Sequence, residues 1–177
     1  MAGGVELVTF QTQFAKAFAE LNYQWIEHYF SVEEEDRLAL DHPVEYALNP
    51  GGEIFFILED GEPVGTVAMV PKENSKEPAE QRFNTDKKPA SFELAKMAVR
   101  PDKQGRGYSK MLMDACINFA IERQAEKIIL VTNDILKPAL GLYTNAGFKA
   151  VDYQDDRYAR GNLEMHLQLR EYPVRVC

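Results

Sequence analysis

Two closely spaced glycines, Gly105 and Gly107, stand between an apolar segment and a segment with helical periodicity. The preceding run, residues 94–99, is mostly apolar and ends in a β-branched residue, which is typical of a buried strand. Pro101 ends that strand because proline has no N–H for a strand ladder. A strand, a glycine turn and a helix in this order present the unpaired first N–H groups of the helix to an anion. The arrangement therefore predicts a site for a phosphate or pyrophosphate.

The segment that follows Gly107 predicts the helix of this site. Its apolar residues recur three or four positions apart: Met111, Leu112, Ala115, Cys116, Phe119 and Ala120. The dipole of a helix that starts at the turn is worth about 0.3–2 kcal/mol to a bound anion. Direct N–H bonds to a charged oxygen add about 1.5–3 kcal/mol each, and glycine lets the ligand approach the backbone closely.

Two motifs in the chain resemble those of one enzyme family. Residues 104–109, QGRGYS, resemble the Q/R-x-x-G-x-G/A signature of the GNAT superfamily of N-acetyltransferases. Residues 142–148, LYTNAGF, resemble the family's L-Y-x-x-x-G-F motif. The order and spacing of the elements also match, over roughly residues 53–169. The last position of the first motif, usually Gly or Ala, is Ser109, and we expect its hydroxyl to contact a phosphate.

The resemblance implies an α/β fold, in which a mixed central sheet is splayed near its centre and flanked by helices. We expect residues 1–177 to form a single domain of this kind. The splay would separate the strand that ends at Val99 from the strand that ends near Asn133. It would hold the pantetheine arm of acetyl-CoA against the backbone of residues 97–99, whose amides could also polarise the thioester carbonyl.

The resemblance also supplies a set of cofactor contacts. The predicted cofactor-binding residues are Met97, Ala98, Val99, Gln104, Gly105, Arg106, Gly107, Tyr108, Ser109, Lys110 and Asn133. Arg106 and Lys110 could pair with cofactor phosphates or simply be solvated at the surface. Asn133 could bond the pantetheine arm or order a water. The asparagine that many family members carry three residues before the position of Ala139 is replaced here by Leu136.

Acetyl transfer to an amine sets three chemical requirements. The amine must be neutral, the developing oxyanion needs donors, and the departing sulfur needs a proton. A lysine-type amine has a pKa near 10.4, so neutralising it at pH 7 costs about 4–5 kcal/mol, against about 1 kcal/mol for a peptide N-terminus. A strong base is therefore more important for a lysine-like acceptor.

Tyr143 and Glu93 are the candidate catalytic residues. The tyrosine of the LY motif is the general acid in the family, and its phenol can donate a proton to a thiolate. The alternatives for Tyr143 are packing of its helix or a hydrogen bond to the cofactor. Glu93 lies six residues before Val99, where some histone-type members place a catalytic glutamate, and it would act as the base. Its alternative is a salt bridge with Lys96 or another nearby basic residue.

Residues 12–29 predict an amphipathic helix with an aromatic stripe that is mainly core. Tyr23, Tyr29 and Phe30, near the end of this helix, could line an acceptor pocket, because the corresponding region faces substrate in the family. Ser31 is the expected N-cap of the following helix, with the side chain of Glu34 completing a capping box.

The middle of the chain contains a hairpin signal and a long loop. Asp60 and Gly61 predict a tight turn between two antiparallel strands. Residues 71–90 carry three prolines and mixed charges and predict a loop of about twenty residues, which is unusually long. This loop could cover the substrate site or be a mobile surface insertion.

Composition limits the other functional classes. A net charge of −8 argues against general nucleic-acid binding, which needs a basic surface. No run is apolar enough for a membrane helix, and the N-terminus lacks the features of a signal peptide. Two distant cysteines, Cys116 and Cys177, fit a reducing cytoplasm, and three scattered histidines show no metal-ligand spacing, so we expect no metal. A monomer or a homodimer is compatible with this sequence.

These observations predict an N-acetyltransferase that moves an acetyl group from acetyl-CoA to a primary amine by direct attack in a ternary complex. The acceptor, a small molecule or a peptide or protein amine, is not identified by any residue. The alternative from another class is a catalytically silent CoA-binding regulatory module, which would bind the cofactor without turnover. A mononucleotide site is disfavoured because no Gly-Lys-Ser/Thr follows the glycines.

Overall fold

The computed structural model describes residues 3–72, 89–152, 160–170 and 172. The strands are β1 (Val5–Thr9), β2 (Glu53–Glu59), β3 (Glu62–Lys72), β4 (Ser91–Val99), β5 (Lys127–Thr132), β6 (Lys149–Val151) and β7 (Leu163–Gln168). The α-helices are α1 (Ala15–Tyr29), α2 (Glu34–Leu40), α3 (Tyr108–Glu122) and α4 (Lys137–Ala146). Short helical turns cover Thr12–Phe14, Val44–Leu48 and Pro101–Lys103. In the described part of the chain, no helix is long and apolar enough to cross a membrane.

The seven strands form one mixed sheet in the order β1-β2-β3-β4-β5-β7-β6. All neighbouring strands are antiparallel except β4 and β5, which are parallel and are joined through α3. The predicted hairpin between β2 and β3 is present, with Asp60 at φ 55° and Gly61 at φ 81°. Positive φ at both central residues is the requirement of a type I′ turn, one of the two usual two-residue hairpin turns.

The sheet splays between its two parallel strands, as the family resemblance implied. β4 and β5 pair at Ser91 with Lys127, Phe92 with Ile128 and Glu93 with Ile129. In the described structure, the β4 residues after Glu93 do not pair with β5, whereas β5 continues to pair with β7 up to Thr132. A wedge therefore opens toward the carboxyl ends of β4 and β5.

β4 carries a bulge on its way to the glycine turn. Its register with β3 shifts so that Val67 stands opposite both Lys96 and Met97. Lys96 has φ 55°, the left-handed conformation that this kind of bulge usually gives to glycine. The bulge twists the strand locally and redirects its backbone groups at the point where the wedge opens.

Two hydrophobic cores cover the two faces of the sheet. Side chains of β2 alternate between them: Phe55 and Ile57 join the core that contains α3, and Ile54 and Phe56 join the core that contains α1. Burial of both faces explains why β2 reads as a continuous apolar run. Cys116 of α3 lies within the first core, where burial raises the pKa of its thiol, as expected for a packing residue.

Two sequence predictions change in detail, and one strand was not predicted. The capping box of α2 is formed by Glu33 and Asp36, not by Ser31 and Glu34, because the helix begins at Glu34. β1 was not predicted, since it is an exposed edge strand that is held by its pairing with β2. Of the predicted loop 71–90, residues 71–72 extend β3, 89–90 lie in the described part without regular structure, and 73–88 lie outside the described residues.

Candidate active site

A cavity of about 530 Å³ occupies the wedge between β4 and β5. This volume is typical of a small-molecule site. The wall is built from β4, the glycine turn, the first turn of α3, the end of β5, α4 and the C-terminal half of α1. Both candidate catalytic residues and all predicted cofactor residues except Arg106 line it.

The glycine turn has the backbone that an anion site requires. Gly105 has φ 76° and Gly107 has φ 82°, and Gly107 directly precedes α3. A Cβ placed at either glycine would meet no protein atom within 4 Å, so the space above the turn is open to a ligand. The first turn of α3 contains no acidic residue that would compete with a phosphate. These observations fit the pyrophosphate of a coenzyme A thioester.

Gln104 connects this turn to β4 through its side chain. Its side-chain amide donates to the carbonyl oxygen of Val99 at 3.2 Å, which ties the end of β4 to the start of the turn. The contact aligns the open strand edge with the anion site.

The basic residues around the turn have carboxylate partners. Arg106 bonds Glu59 at 2.7 Å and lies outside the cavity wall, and Lys103 also pairs with Glu59. Hydrogen bonding from Lys103 and the charge of Arg106 lower the pKa of Glu59. Lys110 pairs with Asp114 one turn along α3 at 2.9 Å, but it does line the cavity. Of the two predicted phosphate partners, Lys110 is therefore the better placed.

Tyr143 reaches the cavity from α4. Tyr143 is 9% exposed, and burial raises the pKa of its phenol to about 12. Within the described chain, its hydroxyl has no hydrogen-bond partner. Its ring packs against Phe148 of the same L-Y-x-x-x-G-F motif, at 6.1 Å between centroids. The phenol is thus a protonated donor in the cavity wall.

Glu93 stands at the vertex of the wedge, in the last residue pair that joins β4 to β5. It is 8% exposed, and one carboxylate oxygen, Oε2, lies 3.6 Å from Nζ of Lys72. The predicted alternative of a basic partner is therefore met by Lys72, whereas Lys96 bonds a different carboxylate. The geometry keeps Glu93 in the cavity wall with a cation beside it.

Asn133 lies at the end of β5 and uses its side chain to hold nearby backbone. Its amide nitrogen donates to the carbonyl of Arg160 at 2.6 Å, and its oxygen accepts from the N–H of Ile135 at 3.0 Å. Asn133 lines the cavity, and these two bonds shape the wall from which Arg160 and α4 extend.

One part of the cavity wall is aromatic. Trp25, Tyr29 and Phe30 line it together, with ring centroids 5.5–6.4 Å apart. Tyr23, the third predicted pocket residue, is not in the wall, and its hydroxyl donates to Asp41 at 2.7 Å. Trp25 lines the wall and Tyr23 does not, because Trp25 is four residues before Tyr29 and therefore on the same face of the helix. That spacing was readable in the sequence.

An ion cluster at the back of the wall was not predicted. Asp36 of α2 accepts hydrogen bonds from Nζ of Lys96 at 2.8 Å and from both terminal nitrogens of Arg160 at 2.7 and 2.6 Å. Burial alone would raise the pKa of Asp36, but the bonds from Arg160 and Lys96 outweigh it and hold this pKa well below its usual range. Lys96 and Arg160 line the cavity, whereas Asp36 lies behind them.

In the ranges that the structure describes, no group of three or more His, Cys, Asp or Glu residues is arranged to hold a metal ion. His166 bonds Glu164 at 2.6 Å on β7, away from the cavity wall. The groups of the described wall that can take part in chemistry are backbone groups, the phenol of Tyr143, the carboxylate of Glu93 and several cations, beside the aromatic residues.

Comparison with known families agrees with this geometry. The model of the acetyltransferase (GNAT) family matches residues 18–148, which is more than half of the chain. The chain therefore belongs to the GNAT family of acetyltransferases, and it is an acyltransferase. No curated protein matches its sequence.

Solved structures show the same fold at low identity. An acetyltransferase of the GNAT family from Staphylococcus aureus Mu50 is 17% identical, with a TM-score of 0.78 over 94% of this chain and 99% of that one. The protein yncA from Salmonella typhimurium, solved with its cofactor acetyl-CoA, is also 17% identical, with a TM-score of 0.68 over 95% of each chain. A ribosomal-protein-alanine N-acetyltransferase from Brucella melitensis is 18% identical, with a TM-score of 0.67 over 93% of this chain and 99% of that one.

The positive φ of the glycine turn leads to a stability prediction. Gly107→Ala should lower the free energy of unfolding by about 1–2 kcal/mol, because an L side chain is strained at this backbone angle even though the added methyl meets no atom. Gly141→Ala is the matched control. Its Cβ also meets no atom, but Gly141 is in α4 at an ordinary angle, so the change should raise stability by about 0.5–1 kcal/mol. Urea unfolding measures both, and equal effects would contradict the assignment of strain.

Proposed function

We propose that this protein transfers the acetyl group of acetyl-CoA to a primary amine. The observation that carries the proposal is one cavity that joins an anion-binding turn, an unpaired strand edge and a protonated phenol. Each of these three features meets a separate requirement of the reaction. We also take residues 1–177 to act as one acetyltransferase domain.

The glycine turn and the β4 edge would hold the two ends of the cofactor. Backbone N–H groups of residues 105–110 would bind the pyrophosphate, with Lys110 beside them. Backbone groups of Met97, Ala98 and Val99 would bond the pantetheine arm and orient the acetyl thioester, which the cofactor supplies as the activated group. The same backbone amides would stabilise negative charge on the carbonyl oxygen.

Tyr143 would act as a hydrogen-bond donor toward the sulfur. A phenol with a pKa of about 12 stays protonated at neutral pH. Complete proton transfer to a thiolate with a cysteine-like pKa near 8.5 would be uphill by about 5 kcal/mol. Tyr143 therefore stabilises developing charge by sharing its proton, and its effect is greatest when the sulfur is most basic.

Glu93 would accept the amine's proton, directly or through a water. Its position at the vertex of the wedge is close to the thioester end of the proposed cofactor site, and its carboxylate is in the cavity wall. Lys72 lies beside this carboxylate and competes for it with the amine's proton.

Direct transfer in a ternary complex is favoured over a covalent enzyme intermediate. The described part of the cavity wall contains no cysteine and no histidine. Cys116 is enclosed in the core, and burial raises the pKa of its thiol, which keeps it unreactive. The amine acceptor would therefore attack the thioester itself, from the side of the aromatic wall.

Binding of acetyl-CoA is the first test of this proposal. A ligand at about 100 times its Kd should stabilise the fold by about 2.7 kcal/mol, which for a chain of this size raises Tm by about 5–10 °C. ATP and NAD are controls, and Gly107→Ala should reduce the shift. No shift with millimolar acetyl-CoA would overturn the function. A shift without release of free CoA on any amine would instead favour the silent CoA-binding module.

Replacement of Tyr143 tests the role of its phenol. Tyr143→Phe should lower turnover by about 10²-fold, which is the range of general-acid catalysis, with little change in acetyl-CoA affinity. Tyr46→Phe, at a tyrosine outside the cavity wall, should keep turnover. The measurement is steady-state release of CoA together with the thermal shift. Unchanged turnover in Tyr143→Phe would assign the residue to packing.

Replacement of Glu93 tests the base. Glu93→Gln should flatten the acid limb of the pH–rate profile, because an amide cannot accept the proton. Lys72→Met separates this role from a structural ion pair: if the pair alone matters, Lys72→Met and Glu93→Gln should have equal effects on turnover. Glu126→Gln, at a surface pair with Arg170, is the control for loss of a carboxylate. An unchanged acid limb in Glu93→Gln would assign the role to another group.

A further inference from the structure

The ion cluster around Asp36 joins three parts of the chain that are distant in sequence. Asp36 lies on α2, Lys96 lies 60 residues later in β4, and Arg160 lies 124 residues after Asp36, just before β7. A fourth bond to Asp36 comes from the backbone N–H of Glu33 at 2.9 Å, as part of the capping box. The Asp36 side chain is 0% exposed and the Lys96 side chain is 6% exposed.

Lys96 is also the residue that makes the bulge. Its φ of 55° is unfavourable for a residue with a Cβ, so the strand needs another interaction to keep this conformation. The buried bond from Nζ of Lys96 to Asp36 is such an interaction, because it restrains the side chain to conformations that reach α2. The next three residues are Met97, Ala98 and Val99, which we assign to the cofactor.

Removal of the Asp36 charge would act on the bulge through Lys96. The cations of Lys96 and Arg160 would then lie close together. Glu33, whose Oε1 lies 3.5 Å from Nη1 of Arg160, would compensate only part of this charge. Both cations already line the cavity, so the least costly response is for the Lys96 side chain to turn toward the solvent in the cavity. The strained angle at Lys96 would then lose an interaction that favours it, and relaxation of that angle would rotate the peptide groups that follow it.

We propose that Asp36 is a positioning residue for acetyl transfer, which holds the backbone of residues 97–99 in its productive direction by anchoring Lys96 at the bulge. The inference rests on the proposed function, because it assumes that this strand edge orients the thioester. Asp36 does not line the cavity and would contact neither substrate.

The experiment compares Asp36→Asn with the unmodified protein by kinetics and by NMR. In Asp36→Asn, kcat should fall about 10–100-fold, because small displacements of aligned groups have large effects on rate. KM for acetyl-CoA should change less than about threefold, since the phosphate contacts at the glycine turn remain. Without ligand, the backbone amide resonances of Met97, Ala98 and Val99 should shift, and those of the glycine turn should not.

Two further variants separate positioning from loss of stability. Lys96→Met removes the anchored cation and should give the same kcat loss and the same amide shifts, and it carries the test if Asp36→Asn does not fold. Combining both changes should cost less than the product of the single effects, because they break one interaction. Leu40→Ala, a buried residue on the same helix α2, destabilises the fold without removing either partner of the ion pair and should keep kcat in the remaining folded protein.

The outcomes distinguish this role from the proposed function. If the unmodified protein turns over acetyl-CoA and the folded variants keep both kcat and the amide resonances of residues 97–99, the positioning role is wrong and the function stands. An equal kcat loss in Leu40→Ala would likewise overturn the role. If the unmodified protein shows neither acetyl-CoA binding nor turnover, the function is wrong and the role is overturned with it.

Discussion

The separation of β4 from β5 is the constraint on which the rest of the site depends. The two parallel strands share three residue pairs and then diverge, so the later part of β4 keeps its bonds to β3 but has an open edge on the other side. Unpaired backbone groups inside a protein are costly unless they have a partner. The open edge is therefore a place where a ligand with its own amide and carbonyl groups is expected to bind. Residues 94–99 reach the glycine turn along this edge, which brings strand and turn into one cavity.

Packing keeps the wedge from closing. One core, which contains the α3 side chains, packs against one face of β2, β3 and β4. A second core, which contains the α1 side chains, covers the opposite face of β2 and β3. α3 packs against β3 at Gly65, where an added Cβ would be in van der Waals contact with Leu112 and Val99 at 3.4 Å. Phe92, Leu94 and Val99 of β4 belong to the first core, so a shift of β4 toward β5 along its whole length would open that core. Packing of this core therefore helps to keep the cavity open.

Most features encoded by neighbouring residues were predictable from local rules, and the splay of the sheet was predictable from the family resemblance, but contacts between distant segments that are particular to this chain were not. The strand, turn and helix around Gly105 and Gly107 follow from local rules, and so does the hairpin at Asp60. The capping box was placed two residues too early because Ser31 and Glu34 satisfy the same pattern as Glu33 and Asp36, and only packing of α2 selects between them. The pairing of Asp36 with Lys96 and Arg160 leaves no local trace, since each residue alone reads as a solvated charge. β1 is similarly determined by its neighbour β2.

The choice of lysine at the bulge shows how such a long-range contact can shape a site. If the backbone angle at residue 96 were the sole requirement, glycine would meet it without the cost of about 1–3 kcal/mol that a left-handed residue with a Cβ incurs. Glycine, however, leaves the strand free to adopt other angles, and it has no side chain to reach α2. Lysine adopts the strained angle, but its side chain forms a buried bond to Asp36, and this bond favours one conformation. Under the proposal made above, the direction of the open β4 edge would then depend on a carboxylate of α2 that lies outside the cavity wall.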